Sequence, residues 1–202
     1  MKIHIATSRS IGLRCIEMAN EPGLSSAVWE LVDNPDDCEV FISVMYEHLV
    51  SEQFINKPGR RCYNFHPGIL PQYRGNGAFS RVIINGEKEC GITLHELDVN
   101  IDTGPVIDIH RFNVDAWDTA KSLYDKGMVE IEIMFHKWFR RLVDNEYQST
   151  PQFEAAAHTY YRKDLEKVLD LTRYVRAFTY EGKPSSFYTT KDGTKCILGW
   201  YQ

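Results

Sequence analysis

The chain has 202 residues, of which 43% are apolar and 25% charged, with a formal net charge of −5, so it has the mass for one substantial core and the balance of a soluble globular protein. An acidic chain supplies no general basic field, which argues against an extensive nucleic-acid surface; the strongest basic cluster, Lys137, Arg140 and Arg141, sits among apolar residues at helical spacing and reads as a solvated helix face. Five cysteines (Cys15, Cys38, Cys62, Cys90 and Cys196), odd in number and widely spaced, argue against zinc, a redox dithiol or a disulfide framework and read as reduced thiols.

The amino terminus enters a strand directly, Ile3 to Thr7, with no long apolar run and no signal-type cleavage region, so a cytoplasmic protein without a membrane span is expected. Ser8-Arg9-Ser10 then precede an apolar-periodic stretch, Ile11 to Ala19, that fits a helix. Val28 to Val32 and Glu39 to Met45 are runs of strand length separated by the turn-rich Asp33 to Asp37, the second reading as buried on both faces. A short helix around Ser51 to Ile55, stopped by Lys57-Pro58-Gly59, leads to a strand from Arg61 to Phe65.

After a loop punctuated by Pro and Gly, Ala78 to Asn85 reads as a helix stopped by Asn85-Gly86, followed by strands Cys90 to Asp98 and Val106 to Phe112. The longest helix is expected from about Ala116 to Val143, capped by Asp115, because Trp117, Ala120, Tyr124, Met128, Ile131, Met134, Trp138 and Leu142 recur at spacings of three and four. Strand-helix alternation in this order predicts an α/β fold, a Rossmann-like, mostly parallel sheet flanked by helices, with the last two strands making part of it antiparallel. From Asp144 to Thr159 the pattern dissolves into a polar connector. A helix from Asp164 to Phe178 follows, and then a hairpin, Ser186 to Thr190 and Lys195 to Trp200, turning at Asp192-Gly193. The expected organisation is a core over residues 1–143, a connector over 144–163 and a small helix-hairpin extension over 164–202.

The segment Tyr63-Asn64-Phe65-His66-Pro67-Gly68-Ile69-Leu70-Pro71-Gln72-Tyr73-Arg74-Gly75, answered later by Asp102-Thr103-Gly104-Pro105, reads as an active site. Alternate side chains of a strand share a face, so Asn64 and His66 project together while Phe65 turns to the core. They do so at a strand's carboxyl end, where open α/β sheets hold their ligands. An amide donor and an imidazole can stabilise an oxyanion growing on a carbonyl. Asp102, on a loop bent by Gly104 and Pro105, can orient the imidazole, hold a water or take a proton from an attacking amine. Direct attack by an acceptor amine needs no serine or cysteine nucleophile.

On these residues the chain resembles the formyltransferases that draw on 10-formyltetrahydrofolate, whose hallmark is an Asn-x-His pair, a Leu-Pro-x-Tyr/Phe-Arg/Lys-Gly turn and an Asp-Thr-Gly-Pro loop. Asn64, His66, the segment from Leu70 to Gly75 and Asp102 to Pro105 fill those positions, and the likeness spans roughly residues 1 to 140. The resemblance implies the catalytic trio Asn64, His66 and Asp102. It also implies a folate site formed by the segment after the third strand, with Met45, Tyr46, Leu49 and Val50, and by Leu97, Asp98 and Ile101. The co-substrate it implies is 10-formyltetrahydrofolate, with no metal.

Family members of this fold formylate methionyl-tRNA, glycinamide ribonucleotide or amino groups of nucleotide-linked sugars. The tRNA enzymes carry a sizeable carboxyl-terminal barrel, for which the stretch after Tyr160 is too short. The ribonucleotide enzymes usually have a Gly- and Ser-rich phosphate loop where this chain has Thr7-Ser8-Arg9-Ser10-Ile11-Gly12. The helix-hairpin extension and the segment Tyr174 to Tyr180 resemble the sugar N-formyltransferases, so a nucleotide-linked amino sugar is the expected acceptor. Ser8, Arg9 and Ser10, at a helix start, are candidates for its phosphates. Tyr73 and Arg74 either shape the substrate cleft or cap a turn.

Other readings stand beside this one. Asp102-Thr103-Gly104 resembles the aspartic-protease tripeptide, but only one copy occurs and that chemistry needs two carboxylates. His95, on a predicted strand, reads as a satisfied or partly exposed structural histidine. A folate- or nucleotide-binding module without catalysis, or a hydrolase of the formyl donor, remain alternatives. The aromatic residues Phe187, Tyr188, Trp200 and Tyr201 offer a surface that packs on the core or on a second subunit, which leaves a homodimer open.

Overall fold

The computed structural model describes residues 1–160, 170–180, 187–189 and 195–197. Its six-stranded sheet is formed by β1 (Lys2–Thr7), β2 (Glu30–Leu31), β3 (Val40–Val44), β4 (Arg61–His66), β6 (Glu89–Glu96) and β7 (Val106–Asn113), in the order β2-β1-β3-β4-β6-β7. The first four are mutually parallel, and β6 and β7 run antiparallel to their neighbours. The helices are α1 (Ser10–Ala19), α2 (Glu52–Ile55), α3 (Ala78–Asn85), α4 (Ala120–Asp144) and α5 (Leu171–Ala177). Two short strands, β5 (Arg74–Gly75) and β8 (Thr159–Tyr160), pair outside the sheet, and β9 (Phe187–Thr189) and β10 (Lys195–Ile197) pair antiparallel. This is the expected Rossmann-like sheet with its small helix-hairpin extension.

The period-two alternation of the strands separates two apolar clusters. Ile3, Ile5, Val40, Ile42, Val44, Tyr63, Phe65, Ile92 and Leu94 join the apolar faces of α1, α3 and α4 in the main core. Phe65 is fully buried, with its ring 5.8 Å from that of Phe135 on α4. The intervening residues Ala6, Phe41 and Cys62 form a smaller cluster with Cys38, against which Val50, Phe54 and Leu97 pack. The sheet face that carries Asn64 and His66 is therefore roofed by loops and a one-turn helix.

Several boundaries differ from the sequence reading. The long helix begins at Ala120: Thr119 is its cap, accepting from the Ser122 N–H while the Ser122 hydroxyl accepts from the Thr119 N–H, and this reciprocal box prevails over Asp115. Asp115 and Asp118 instead hold Lys126. The second strand shrinks to Glu30–Leu31, and β6 stops at Glu96, although the Leu97 N–H still donates to the Cys62 carbonyl of β4 opposite it. The connector is not featureless: Thr150 exchanges two hydrogen bonds with Val106, and β8 pairs with β5. Within the expected helix Asp164 to Phe178, α5 is capped by Asp170, and residues 164–169 lie outside the described residues. The Asp192-Gly193 turn and the side chains of Phe187, Tyr188, Trp200 and Tyr201 lie outside them too. Among the described residues, no helix is long and apolar enough to cross a membrane.

Candidate active site

Asn64 and His66 stand two residues apart on β4 and share a face, as the alternation requires. Asp102 reaches them from the loop after β6. Its carboxylate lies with Oδ1 3.5 Å from Asn64 Nδ2 and Oδ2 3.3 Å from His66 Nδ1. The Gly75 N–H donates to Oδ2 at 2.8 Å. The three residues are brought together, although 38 positions separate Asn64 from Asp102.

A fourth member was missed as a site residue. His95 lies opposite Asn64 in the β4–β6 ladder, with no exposed surface rather than a partly exposed one. Its Nδ1 is 2.7 Å from the Glu96 carbonyl, which only accepts, so this nitrogen carries the hydrogen. Its Nε2 then accepts from Asn64 Nδ2 at 3.1 Å and lies 3.7 Å from Asp102 Oδ1. One amide nitrogen is thus shared between His95 and Asp102. The local signal was the alternation Thr93-Leu94-His95, which puts His95 on a face but does not say which strand it will meet.

Backbone shape fixes the loops that carry these groups. Asp102 has φ 54, in the left-handed region that aspartate tolerates better than most residues. A Cβ on Gly104 would lie 1.9 Å from the Glu96 carbonyl oxygen, so only glycine lets this loop fold back on β6. Beyond His66, the buried Thr93 hydroxyl donates to the Gly68 carbonyl at 2.6 Å and accepts from the Leu70 N–H at 3.1 Å. That pins the Pro67–Leu70 turn to β6. A Cβ on Gly68 would sit 2.9 Å from His66 Nε2.

Electrostatics follow from burial and hydrogen bonding. His66 Nε2 donates to the Tyr73 carbonyl at 2.7 Å, which leaves Nδ1 facing Asp102. Burial pulls this imidazole below its ordinary value, an effect that the Asp102 carboxylate opposes. Burial works the other way on Asp102, but the pairing with His66 first, and the Gly75 N–H with it, outweigh it and hold the carboxyl far below the ordinary carboxylate range. Burial thus favours the neutral imidazole and the carboxylate favours the imidazolium, and a pair balanced between the two is able to take up one proton and return it.

The remaining expected residues fall into three places. Met45, Tyr46, Leu49 and Val50 form the loop after β3, and Leu97, Asp98 and Ile101 the loop after β6; Val50 and Leu97 meet in the small apolar cluster, so the two loops are neighbours. Leu49 and Ile101 are exposed apolar side chains. Asp98 is occupied in its own loop, accepting from the Thr103 hydroxyl at 2.6 Å and the Asn100 N–H at 3.1 Å. Ser8, Arg9 and Ser10 form the β1–α1 turn: the Ser8 hydroxyl accepts from the Glu47 N–H, and Arg9 pairs with Glu47. No side chain caps the start of α1 there. Tyr73 and Arg74, by contrast, are buried, with Tyr73 donating to Glu87 and Arg74 to Gln152 and Glu154. Arg74 therefore holds the scaffold rather than an open cleft.

Among the described residues, no group of three His, Cys, Asp or Glu is arranged to hold a metal ion. An open cleft of about 520 Å³ lies elsewhere, lined by residues that include Ile83, Lys88, Asn113, Arg173 and Arg176, and contains none of the trio. Its arginines donate to the carbonyls of Ile84, Ala116 and Asp118. Convergent chemistry, not the size of a hollow, singles out the β4 site.

Comparison with known proteins gives a consistent result. The sequence model of the family described as Formyl transferase matches residues 16–137. A GDP-perosamine N-formyltransferase from Brucella melitensis is 29% identical over 203 aligned positions, covering 91% of this chain and 76% of that protein. A 4-N formyltransferase from Francisella tularensis superposes with a TM-score of 0.82 at 19% identity, covering 98% of this chain and 96% of that one. An N-formyltransferase from Helicobacter canadensis, solved in complex with folinic acid and dTDP-3-aminofucose, superposes with a TM-score of 0.76 at 21% identity over the full length of both chains.

Proposed function

The chain belongs to the formyl transferase family, and from that premise we propose that it moves a formyl group from 10-formyltetrahydrofolate to the amino group of a nucleotide-linked amino sugar. The observation that carries the proposal is the convergence of Asn64, His66 and Asp102, with His95 behind them, on one face of β4. The acceptor class is supported by a relative whose printed name is GDP-perosamine N-formyltransferase and which aligns with 91% of this chain.

In the proposed reaction the neutral amine attacks the formyl carbon, giving a tetrahedral adduct with charge on oxygen and an extra proton on nitrogen. The long 3.5 Å contact from Asn64 to Asp102 is the weakest hydrogen bond in the cluster, so it is the one an oxyanion displaces to take the amide N–H. The proton on the attacking nitrogen passes to the Asp102–His66 pair, whose carboxylate and imidazole Nδ1 lie 3.3 Å apart, and from that pair to the departing folate nitrogen. A formamide and tetrahydrofolate result, with no net change in protons. His66, protonated in passing, helps the oxyanion through its charge, because its Nε2–H is held by the Tyr73 carbonyl.

The folate is assigned to Met45, Tyr46, Leu49, Val50, Leu97, Asp98 and Ile101, and the nucleotide phosphates to the uncapped start of α1 at Ser8, Arg9 and Ser10. The same reading takes residues 1–143 as the catalytic unit, in the cytoplasm. Cys15, Cys62 and Cys90, free and buried with their thiols pushed up to about 12, fit a reducing compartment. The test is release of tetrahydrofolate that depends on an amino-sugar acceptor. His66→Ala and Asn64→Ala are each expected to slow it at least a hundredfold, on the order of an oxyanion or acid-base contribution. Turnover within a few-fold of wild type in both would refute the assignment.

A further inference from the structure

We propose that Gln152, in the connector, is a positioning residue for Asp102: its side-chain amide clamps the loop that carries the carboxylate to the β5 segment on the other side of the site. The proposal rests on the formyl-transfer reading of the trio. The Gln152 amide uses both ends. Its Nε2 donates to the carbonyls of Asp102 and Gly104, each at 2.8 Å, and its Oε1 accepts from Arg74 Nε and Nη2 at 3.0 and 2.8 Å.

Arg74 is itself anchored. Its side chain is 5% exposed and also donates to both Glu154 oxygens, at 3.0 and 2.6 Å. Its backbone N–H donates to His158, and the next residue, Gly75, gives its N–H to the Asp102 carboxylate. Asp102 is thus gripped twice, on its main-chain carbonyl by Gln152 and on its carboxylate by Gly75, and both grips lead back to Arg74. The Thr150–Val106 pair fixes the connector two residues before Gln152.

This bracing has a physical reason. A non-glycine residue at positive φ is held there by its surroundings, at a local cost. Gln152 supplies two neutral hydrogen bonds to the strained turn without placing a charge beside the carboxylate. Without them the loop can relax, and the Asp102 carboxylate moves off His66 Nδ1 while the fold persists.

The full chain is compared with Gln152→Met, which keeps the volume and removes all four hydrogen bonds, and with Gln152→Asn, whose amide is too short to reach Arg74 and the loop together. Both are expected to lose roughly 10- to 100-fold in kcat, with KM for folate and acceptor within about threefold. The NMR titration midpoint of His66 is expected to move down in both. The titratable groups that face it are Asp102, from the loop, and His95, from β6, and only Asp102 favours the imidazolium. A folded variant with wild-type kcat and wild-type His66 midpoint overturns the proposal. So does a fall in kcat that tracks a fall in thermal midpoint while the His66 midpoint stays in place, since that marks a merely structural role. If the wild-type protein formylates no acceptor, the functional reading fails, and the His66 midpoints still decide whether Gln152 positions Asp102.

Discussion

Replacing Asp102 with Asn isolates the charge of the carboxylate while keeping an oxygen to accept from the Gly75 N–H. In the wild type, Asp102 Oδ2 lies 3.3 Å from His66 Nδ1. Two unit charges at that distance attract by about 5 kcal/mol at an effective dielectric of roughly 20. The amide dipole of asparagine recovers part of this, so the imidazolium formed during proton transfer loses on the order of 3 kcal/mol of support. Each 1.36 kcal/mol is a factor of ten, so single-turnover formyl transfer should slow by about a hundredfold or somewhat more. Rapid-quench measurement at saturating folate and acceptor reads the chemical step directly. The His66 titration midpoint should fall in the same variant, and the thermal midpoint at neutral pH should fall too, because the stability that the ionised carboxylate contributes is lost with its charge. A variant within threefold of wild type would refute the reasoning, as would a large rate loss with an unmoved His66 midpoint.

Three further outcomes are expected. Burial holds His66 below its ordinary 6.5, so as pH falls from 6.5 the unfolded chain takes up a proton that the folded chain does not, and stability declines until the folded midpoint is passed. Asp102, held below its ordinary 3.8, adds a separate loss as pH falls below that value. His66→Gln should therefore flatten the first part of a plot of thermal midpoint against pH and also shrink the second, since His66 is one of the groups that hold Asp102 low; parallel curves for the two proteins from about pH 7.5 to 5 would contradict this. Gly104→Ala forces a Cβ to 1.9 Å from the Glu96 carbonyl oxygen; a destabilisation of about 1–3 kcal/mol, with a larger loss of kcat than of folate binding, is expected from denaturant titration and kinetics. Thr93→Val leaves the Gly68 carbonyl and the Leu70 N–H without their buried partner; it should cost about 2–4 kcal/mol by denaturant titration, and a neutral result would show that the turn after His66 is held by something else.

What the sequence made legible was mostly local. Asn64 and His66 follow from the two-residue period of a strand, and Phe65 against Phe135 is the other half of the same alternation. Asp102 was legible through its motif, since nothing in the intervening residues states that the loop folds back onto β4. His95 was not recognised because its partner is set by the register that places it opposite Asn64 in the β4–β6 ladder, a non-local pairing that the strand pattern does not encode. The connector looked patternless for a related reason. Gln152, Glu154 and Thr150 work through hydrogen bonds to residues tens of positions away, and such contacts leave no periodicity. Arg74 was read as shaping the cleft or capping a turn because a basic residue beside a glycine turn gives no hint that Gln152 and Glu154 will bury it. Thr119 prevailed over Asp115 because Ser122 completes a reciprocal cap, a choice between two good caps that pattern alone leaves open.

The most direct measurement incubates the protein with 10-formyltetrahydrofolate and a panel of nucleotide-linked amino sugars, and follows nucleotide-sugar mass and tetrahydrofolate together. The account predicts that one acceptor gains a single formyl group in step with tetrahydrofolate release, with no formate freed when the acceptor is left out. Formate release without acceptor, or a folded protein that binds folate and formylates no member of the panel, would contradict it.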